Sequence, residues 1–275
     1  MSKKQDIIWL ESVDSTNEEA KRHISDIDNL SVLSALEQTA GRGQRGNTWT
    51  SSAGENLIFS IVLKSPVLMA EDHFALNEIA ALSVAEFLST YGIKAEIKWP
   101  NDIYVGEKKI CGILIENSFR GKTISSSIIG IGLNINQRNF NVNLPNPTSM
   151  VLCRAQEDPH DIHRCLDEFM DIFSSYYDRF LTSDKDRSLL RQRYLASLWR
   201  LGKPSRFIDY TTLPTGHLDG PMNICTEIEP YSAKQTGNEF PGIIRGLSSC
   251  GNLLVEDLST GMLREFGFKE IGYIL

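Results

Sequence analysis

The character of the chain changes at Gly202, and that change constrains the fold more than any other feature. Before it lie stretches of helical period alternating with apolar strands. After it come short β-like runs at 204–210, 223–228, 241–247, 252–257 and 262–268, separated by turn residues. Strands of that length and spacing suit a small β-barrel or sandwich. A domain boundary is therefore expected near 200, with residues 1–200 as one domain and 201–275 as a smaller second one. The 275 residues are enough for that division.

The first part reads as mixed α and β. Residues 7–10 (IIWL) form a short strand. Ser15-Thr16-Asn17-Glu18-Glu19 carries overlapping capping-box spacings, which predict a helix running to about Ile24. A strand at 32–37 enters a glycine-rich loop, and 56–63 (NLIFSIVL) is a strongly apolar strand. Residues 71–90 have helical period, with Leu76, Ile79, Ala80, Val84, Phe87 and Leu88 on one face. Strands are expected at 94–99, 110–116 and 124–133, with 103–105 and 110–116 joined by a hairpin turn at 106–109. Residues 134–149, rich in Asn and Pro, read as loop. Two helices follow, at 161–181, striped by Ile162, Leu166, Phe169, Phe173, Tyr177 and Phe180, and at about 186–199. The polar stretches 211–221 and 229–240 read as loops.

Charge and cysteine content narrow the function. The formal net charge is −7, with no basic block. A nucleic-acid-binding chain would show one. Lys and Arg are sparse except where they enter the glycine-rich loop, a pattern that suits a small anionic ligand. The five cysteines (111, 153, 165, 225 and 250) are odd in number and form no C-x-x-C pair, so neither a disulfide framework nor a zinc site is indicated. The N-terminus lacks the apolar region of a signal peptide, and no apolar run approaches ~18 residues. A reduced, cytoplasmic setting is the expectation.

Three segments carry candidate chemistry. In Gly41-Arg42-Gly43-Gln44-Arg45-Gly46 the glycines permit close backbone approach to a ligand, successive N–H groups make an anion-binding concavity, and the arginines add planar donors for carboxylate or phosphate. No Gly-Lys-Ser/Thr follows, so this is not a Walker A loop, and the strand after it excludes a dinucleotide fingerprint. In Lys98-Trp99-Pro100-Asn101-Asp102, Pro100 ends a strand, and strand ends in α/β proteins commonly meet ligands. A hairpin folding back would add Lys109 to Lys98, Asn101 and Asp102. In 128–137 (IIGIGLNINQ), Gly130 and Gly132 allow close approach along a buried strand that ends on Asn134 and Asn136.

Together, Ser15-Thr16-Asn17, Gln38, GRGQRG with Trp49, KWPND, KKICG and GIGLNIN resemble the catalytic domain of biotin–protein ligases in order and approximate spacing, over roughly 7–275. The later Thr148-Ser149-Met150 and the FKEI at 268–271 are similar to the family as well. The resemblance implies an SH2-like mixed α/β catalytic domain followed by a small SH3-like β-barrel. It also implies a two-step ligase reaction. Biotin and MgATP give biotinyl-adenylate, and biotin is then transferred to a lysine of the biotin carboxyl carrier domain of a carboxylase.

By position, Ser15, Thr16, Asn17 and Gln38 correspond to residues at the biotin head group. Arg42, Gly43 and Gln44 correspond to the loop over biotin and adenylate. Lys109 corresponds to a lysine at the biotin carboxylate and the reacting phosphate, beside Gly112. Arg45, Trp49, Lys98, Asn101 and Asn134 correspond to residues around the nucleotide, and Asp102 to an acidic residue near the reaction centre. Lys109, Arg42 and Asp102 are the catalytic candidates. No protein-built metal site is implied, Mg2+ being held mainly through the ATP phosphates. Two departures stand out. Gln44 occupies a position where the family usually has Arg, which implies looser retention of the adenylate unless Arg45 compensates. Cys111 occupies one that is commonly Ala.

The expected partners are the carrier domain alone, with no nucleic acid and no membrane. The winged-helix domain of the dual ligase–repressors is not expected, and either monomer or homodimer is compatible. A lipoate–protein ligase or lipoyl transferase, which shares the catalytic fold, is the alternative enzyme. A non-catalytic biotin- or nucleotide-binding module is the alternative of another class.

Overall fold

The computed structural model describes residues 6–154, 158–181, 184–211 and 237–275. The strand expected at 223–228 and most of the two expected loops around it lie outside the described residues. The chain divides into two compact units, one made of residues through Gly43 and Thr48–Trp199, the other of Gln44–Asn47 and Arg200–Leu275.

The first unit is built on a seven-stranded mixed sheet. Its strands are β1 (Ile7–Val13), β2 (Val32–Gln38), β3 (Leu57–Lys64), β4 (Glu96–Lys98), β5 (Asp102–Val105), β6 (Lys108–Arg120) and β7 (Thr123–Leu133), in the order β1-β2-β3-β7-β6-β5-β4. Only β1 and β2 are parallel, and helix α1 (Thr16–Arg22) is the crossover between them. The other pairings are antiparallel. The apolar run 56–63 becomes the central β3, buried from Leu57 to Leu63.

Helices lie on both faces of the sheet, and strand alternation sorts the side chains between them. Phe59 meets Phe169 of helix α4 (Ile162–Phe180) edge to face, with ring centroids 5.2 Å apart. Helices α2 (Phe74–Thr90), α4 and α5 (Asp184–Ala196) lie on that side. Ser60 and Val62 point the other way, where Val62 packs with Ala20 of α1, Leu33 and Ile128.

Several expectations are corrected. The capping box does not form: Ser15 caps α1 by backbone geometry without a side-chain hydrogen bond, and Glu18 and Glu19 are taken by basic side chains instead. Helix α2 starts at Phe74 and is not one-faced. Twelve of its seventeen residues are buried, Asn77, Glu78 and Ser83 among them, because the sheet packs on one side and α4 and α5 on another. Lys109 lies in β6, since the hairpin turns at Gly106 and Glu107. The loop after β7 ends in a short helix, α3 (Met150–Cys153), that periodicity did not reveal.

The second unit is an antiparallel five-stranded sheet of β8 (Pro204–Asp209), β9 (Asn238–Leu247), β10 (Leu253–Asp257), β11 (Leu263–Phe266) and β12 (Ile271–Tyr273), ordered β11-β10-β9-β8-β12. Strand β12 was not foreseen; its three residues give too short a pattern. Phe207, Phe240 and Phe266 form the aromatic core, and the Arg264 guanidinium lies 4.8 and 4.7 Å from the Phe240 and Phe266 ring centres. Arg264 also pairs with Asp209 and Asp257, both buried. The architecture is the expected one, a mixed α/β unit followed by a small β unit. Among the described residues, no helix is long and apolar enough to cross a membrane.

Candidate active site

Residues paired across neighbouring strands share a face, so register lays Lys98, Asp102 and Gly112 in one row on the α1 side of the sheet. One row crosses five strands as Lys98, Asp102, Gly112, Gly132 and Ile58. The next row reads Leu114, Gly130, Ser60 and Leu33. Charged residues thus stand at one end, a glycine floor in the middle, and hydroxyls toward α1.

The α1 end is a buried polar cluster. Ser15, Thr16 and Asn17 are each 3% exposed at the start of the helix. The Thr16 N–H donates to Gln38 Oε1 at 2.7 Å, and the Thr16 hydroxyl lies 3.2 Å from the same oxygen. The Ser60 hydroxyl lies 2.8 Å from the Thr16 hydroxyl and donates to Asn17 Oδ1 at 2.6 Å. Asn17 Nδ2 donates to Glu116 Oε2 at 2.8 Å and, at 3.3 Å, to the Leu114 carbonyl. Ser60 and Glu116 were missed in the sequence. Their only signals were a lone hydroxyl inside NLIFSIVL and the first charge after ICGILI.

The glycine floor exists because other side chains lie on it. A Cβ at Gly130 would run into the Asn17 carboxamide, and one at Gly132 into the Trp49 indole. At Gly112 it would stand 3.1 Å from Trp49 and 3.4 Å from the Lys109 amine. The Trp49 Nε1–H is buried and has no hydrogen-bond partner among the described residues. A buried donor left unsatisfied costs free energy, so this edge of the floor is prepared for an acceptor.

At the charged end, Lys109 Nζ pairs with Asp102 Oδ1 at 2.7 Å and lies 5.9 Å from the Trp49 ring centre. The Lys109 backbone is fixed on its other side: its N–H donates to Asn146 O at 2.8 Å, and its carbonyl accepts from Thr148 N at 2.9 Å. Asn134 Nδ2 donates to the Thr148 carbonyl at 2.9 Å, so Asn134 braces the strap that holds Lys109. Asn101 also acts as a brace, donating from Nδ2 to Ile113 O at 2.7 Å. Lys98 Nζ donates to the Tyr104 hydroxyl at 3.0 Å, over the Tyr104 and Trp199 rings. Burial pushes the Tyr104 phenol up. Burial also pushes the Cys111 thiol up, so it is a small neutral residue facing away from the glycine floor.

The glycine-rich loop closes at its base, where Arg42 bridges Thr48 and the Trp49 N–H donates to Gly41 O at 2.9 Å. Arg42 turns to Glu18 and stands 3.6 Å from Glu116. Lys21 joins both carboxylates, at 2.9 and 2.7 Å. Lys21 and Arg42 hold the Glu18 carboxyl below the ordinary value against the opposing effect of burial. Gly43 is half-buried next in the loop. Gln44 and Arg45 belong to a 3-10 turn, Gln44–Gly46, that groups with the second unit, and the Arg45 side chain lies outside the described structure.

A mixed sheet carrying a polar cluster, a glycine floor and a lysine–carboxylate pair on one face defines the class of protein. Residues 9–134 match the biotin/lipoate A/B protein ligase family. A biotin–[acetyl-CoA-carboxylase] ligase of Paracoccus denitrificans is 31% identical over 201 residues, covering 71% of this chain and 82% of the relative. The chain belongs to the biotin–protein ligase family. The bifunctional ligase/repressor BirA of Bacillus spizizenii is 34% identical over 136 residues, 49% of this chain, and the match spans only 42% of that relative's length. A biotin protein ligase of Aquifex aeolicus, solved with biotin and ATP, superposes with a TM-score of 0.73 at 26% identity, covering 97% of each chain.

Proposed function

We propose that this chain is an ATP-dependent biotin–protein ligase. The observation that carries the reading is the order of groups along one sheet face: buried amides and hydroxyls, then glycines, then Lys109 with Asp102. Biotin has the same order, with a ureido ring, the sulfur-containing ring fused to it and a carboxylate on a short chain. Thr16, Asn17, Gln38 and Ser60 supply donors and acceptors for the ureido group. Trp49, seated on the glycines, receives the sulfur-containing ring and the chain. Lys109 neutralises the carboxylate as it approaches the α-phosphate of ATP.

The carboxylate oxygen bonds to the α-phosphorus and pyrophosphate leaves, giving a mixed anhydride. Lys109 and the loop N–H groups stabilise charge that grows during that transfer. Lys98 belongs to the same row, on the side where the nucleotide phosphates would lie. Arg42, freed from Glu18, would cover the anhydride and keep water from it. In the second step a carrier-domain lysine amine bonds to the acyl carbon and AMP leaves with the anhydride oxygen. ATP supplies the adenylyl group, and Mg2+ enters on its phosphates.

The buried polar cluster favours biotin over lipoate. A dithiolane ring offers neither donor nor acceptor to Thr16, Asn17 and Gln38, and a site built for hydrogen bonds rejects a ligand that leaves them unpaired. The acceptor is the biotin carboxyl carrier domain of a carboxylase, a reading supported by the name of the Paracoccus denitrificans relative. The test is ATP–pyrophosphate exchange with each acid. Exchange with biotin and not lipoate is expected; exchange with lipoate alone would reverse the assignment.

A further inference from the structure

The segment bearing Asn101 and Asp102 is anchored from behind the sheet, by helices that never reach the site. Asn77 of α2 donates from Nδ2 to the Pro100 carbonyl at 2.5 Å. Tyr194 of α5, fully buried, donates its hydroxyl to the same oxygen at 3.1 Å. One carbonyl thus takes both donors, one from each helix. Two residues further along the chain stands Asp102, whose carboxylate holds the Lys109 amine. The neighbouring Glu78 and Arg191 pair joins the same two helices without touching Pro100.

We propose that Asn77 and Tyr194 are positioning residues for the acid-activating step, acting through the Pro100 carbonyl to set the Asp102–Lys109 pair. The inference rests on the ligase reading above. A carbonyl's two lone pairs are satisfied by the two donors, and each donor fixes the direction of the peptide from a rigid, buried helix. Removing one leaves Pro100 free to rotate away, and the Asp102 carboxylate shifts against the Lys109 amine, whose backbone is held separately. Displacements of about an ångström at a reacting centre can cost about 10²-fold in rate. The polar cluster that reads the other end of the acid sits on α1, β2 and β3 and does not touch this clamp. Loss of the clamp therefore strikes the chemical step and spares recognition of the acid.

The test uses the full chain and compares Tyr194→Phe, Asn77→Asp and Glu78→Gln with wild type. Each is assayed for biotin-dependent pyrophosphate release at saturating ATP, with melting temperatures measured in parallel. Tyr194→Phe removes one hydroxyl and keeps the ring, and Asn77→Asp turns a donor into an acceptor facing a carbonyl. Both should lower kcat about 10-fold or more, Asn77→Asp the more, while KM for biotin stays within about 2-fold. Glu78→Gln, which alters the same helix pair without touching Pro100, should shift the melting temperature and leave kcat within about 2-fold. Wild-type kcat in both clamp variants overturns the proposal. So does a kcat loss in Glu78→Gln as large as theirs at equal loss of melting temperature. A wild type that releases pyrophosphate with no acid would instead overturn the ligase reading itself.

Discussion

Lys109 owes its place to its neighbours as much as to its charge. A lysine beside a hairpin turn is ordinarily a solvated surface group. Here its backbone is held by Asn146 and Thr148 and its amine by Asp102. Lys109→Ala should remove about 2–4 kcal/mol of transition-state stabilisation from adenylate formation, the scale of a lost oxyanion donor. Single-turnover pyrophosphate release measures it, and near-normal turnover would remove the assignment. At Gly132 an added Cβ would meet the Trp49 indole. Gly132→Ala should weaken biotin binding at least 10-fold by driving Trp49 across the floor, at the ~1–3 kcal/mol cost of overpacking. Titration calorimetry would show it, and unchanged affinity would contradict this account of the floor. Gly132 was legible as a place of close approach; that Trp49 is what approaches was not, because contact between residues so far apart in the chain leaves no local pattern.

Helices α2 and α5 show the limits of periodicity. An amphipathic reading assigns α2 one buried stripe, yet Glu78 is 2% exposed and paired with Arg191. Burial outweighs the pull of Arg191 and raises the Glu78 carboxyl to about 7. The folded state therefore holds a proton that the unfolded state releases near its ordinary value. The associated stability is full at low pH and is lost as pH rises from about 4.5 through about 7. Relative to Glu78→Gln, the wild type should lose stability between pH 5 and pH 8, by about 1–3 kcal/mol. Denaturant titrations at the two pH values measure it, and a pH-independent difference would refute the shift. In the second unit Arg264 holds two buried carboxylates between aromatic rings. Arg264→Met leaves both without that partner and should destabilise this unit by about 3 kcal/mol. The melting of that unit, followed by hydrogen exchange in β10 and β11, should report it.

Over the whole molecule, the sequence exposed what is local and hid what is shared between distant segments. The change at Gly202 announced the small antiparallel sheet, and GRGQRG, KWPND and GIGLNIN marked the segments from which the candidate site is built. Pairing register then laid Lys98, Asp102, Gly112 and Gly132 in one row, which no single motif contains. Ser60, buried, and Glu116, partly buried, stayed hidden because a polar residue in an apolar strand has no signature until its partners are in place. Asn101 and Asn134 donate their side-chain amides to main-chain carbonyls, those of Ile113 and Thr148, a bracing role that no motif in the sequence announced.

The central claim is that this sheet face activates biotin and passes it to a protein lysine. Its most direct measurement is the mass of an apo biotin carboxyl carrier domain after incubation with the full chain, MgATP and either biotin or lipoate. A mass gain of one biotinyl group is expected, dependent on ATP and absent when the carrier's acceptor lysine is replaced by arginine. No gain with biotin, or a gain with lipoate alone, would contradict it.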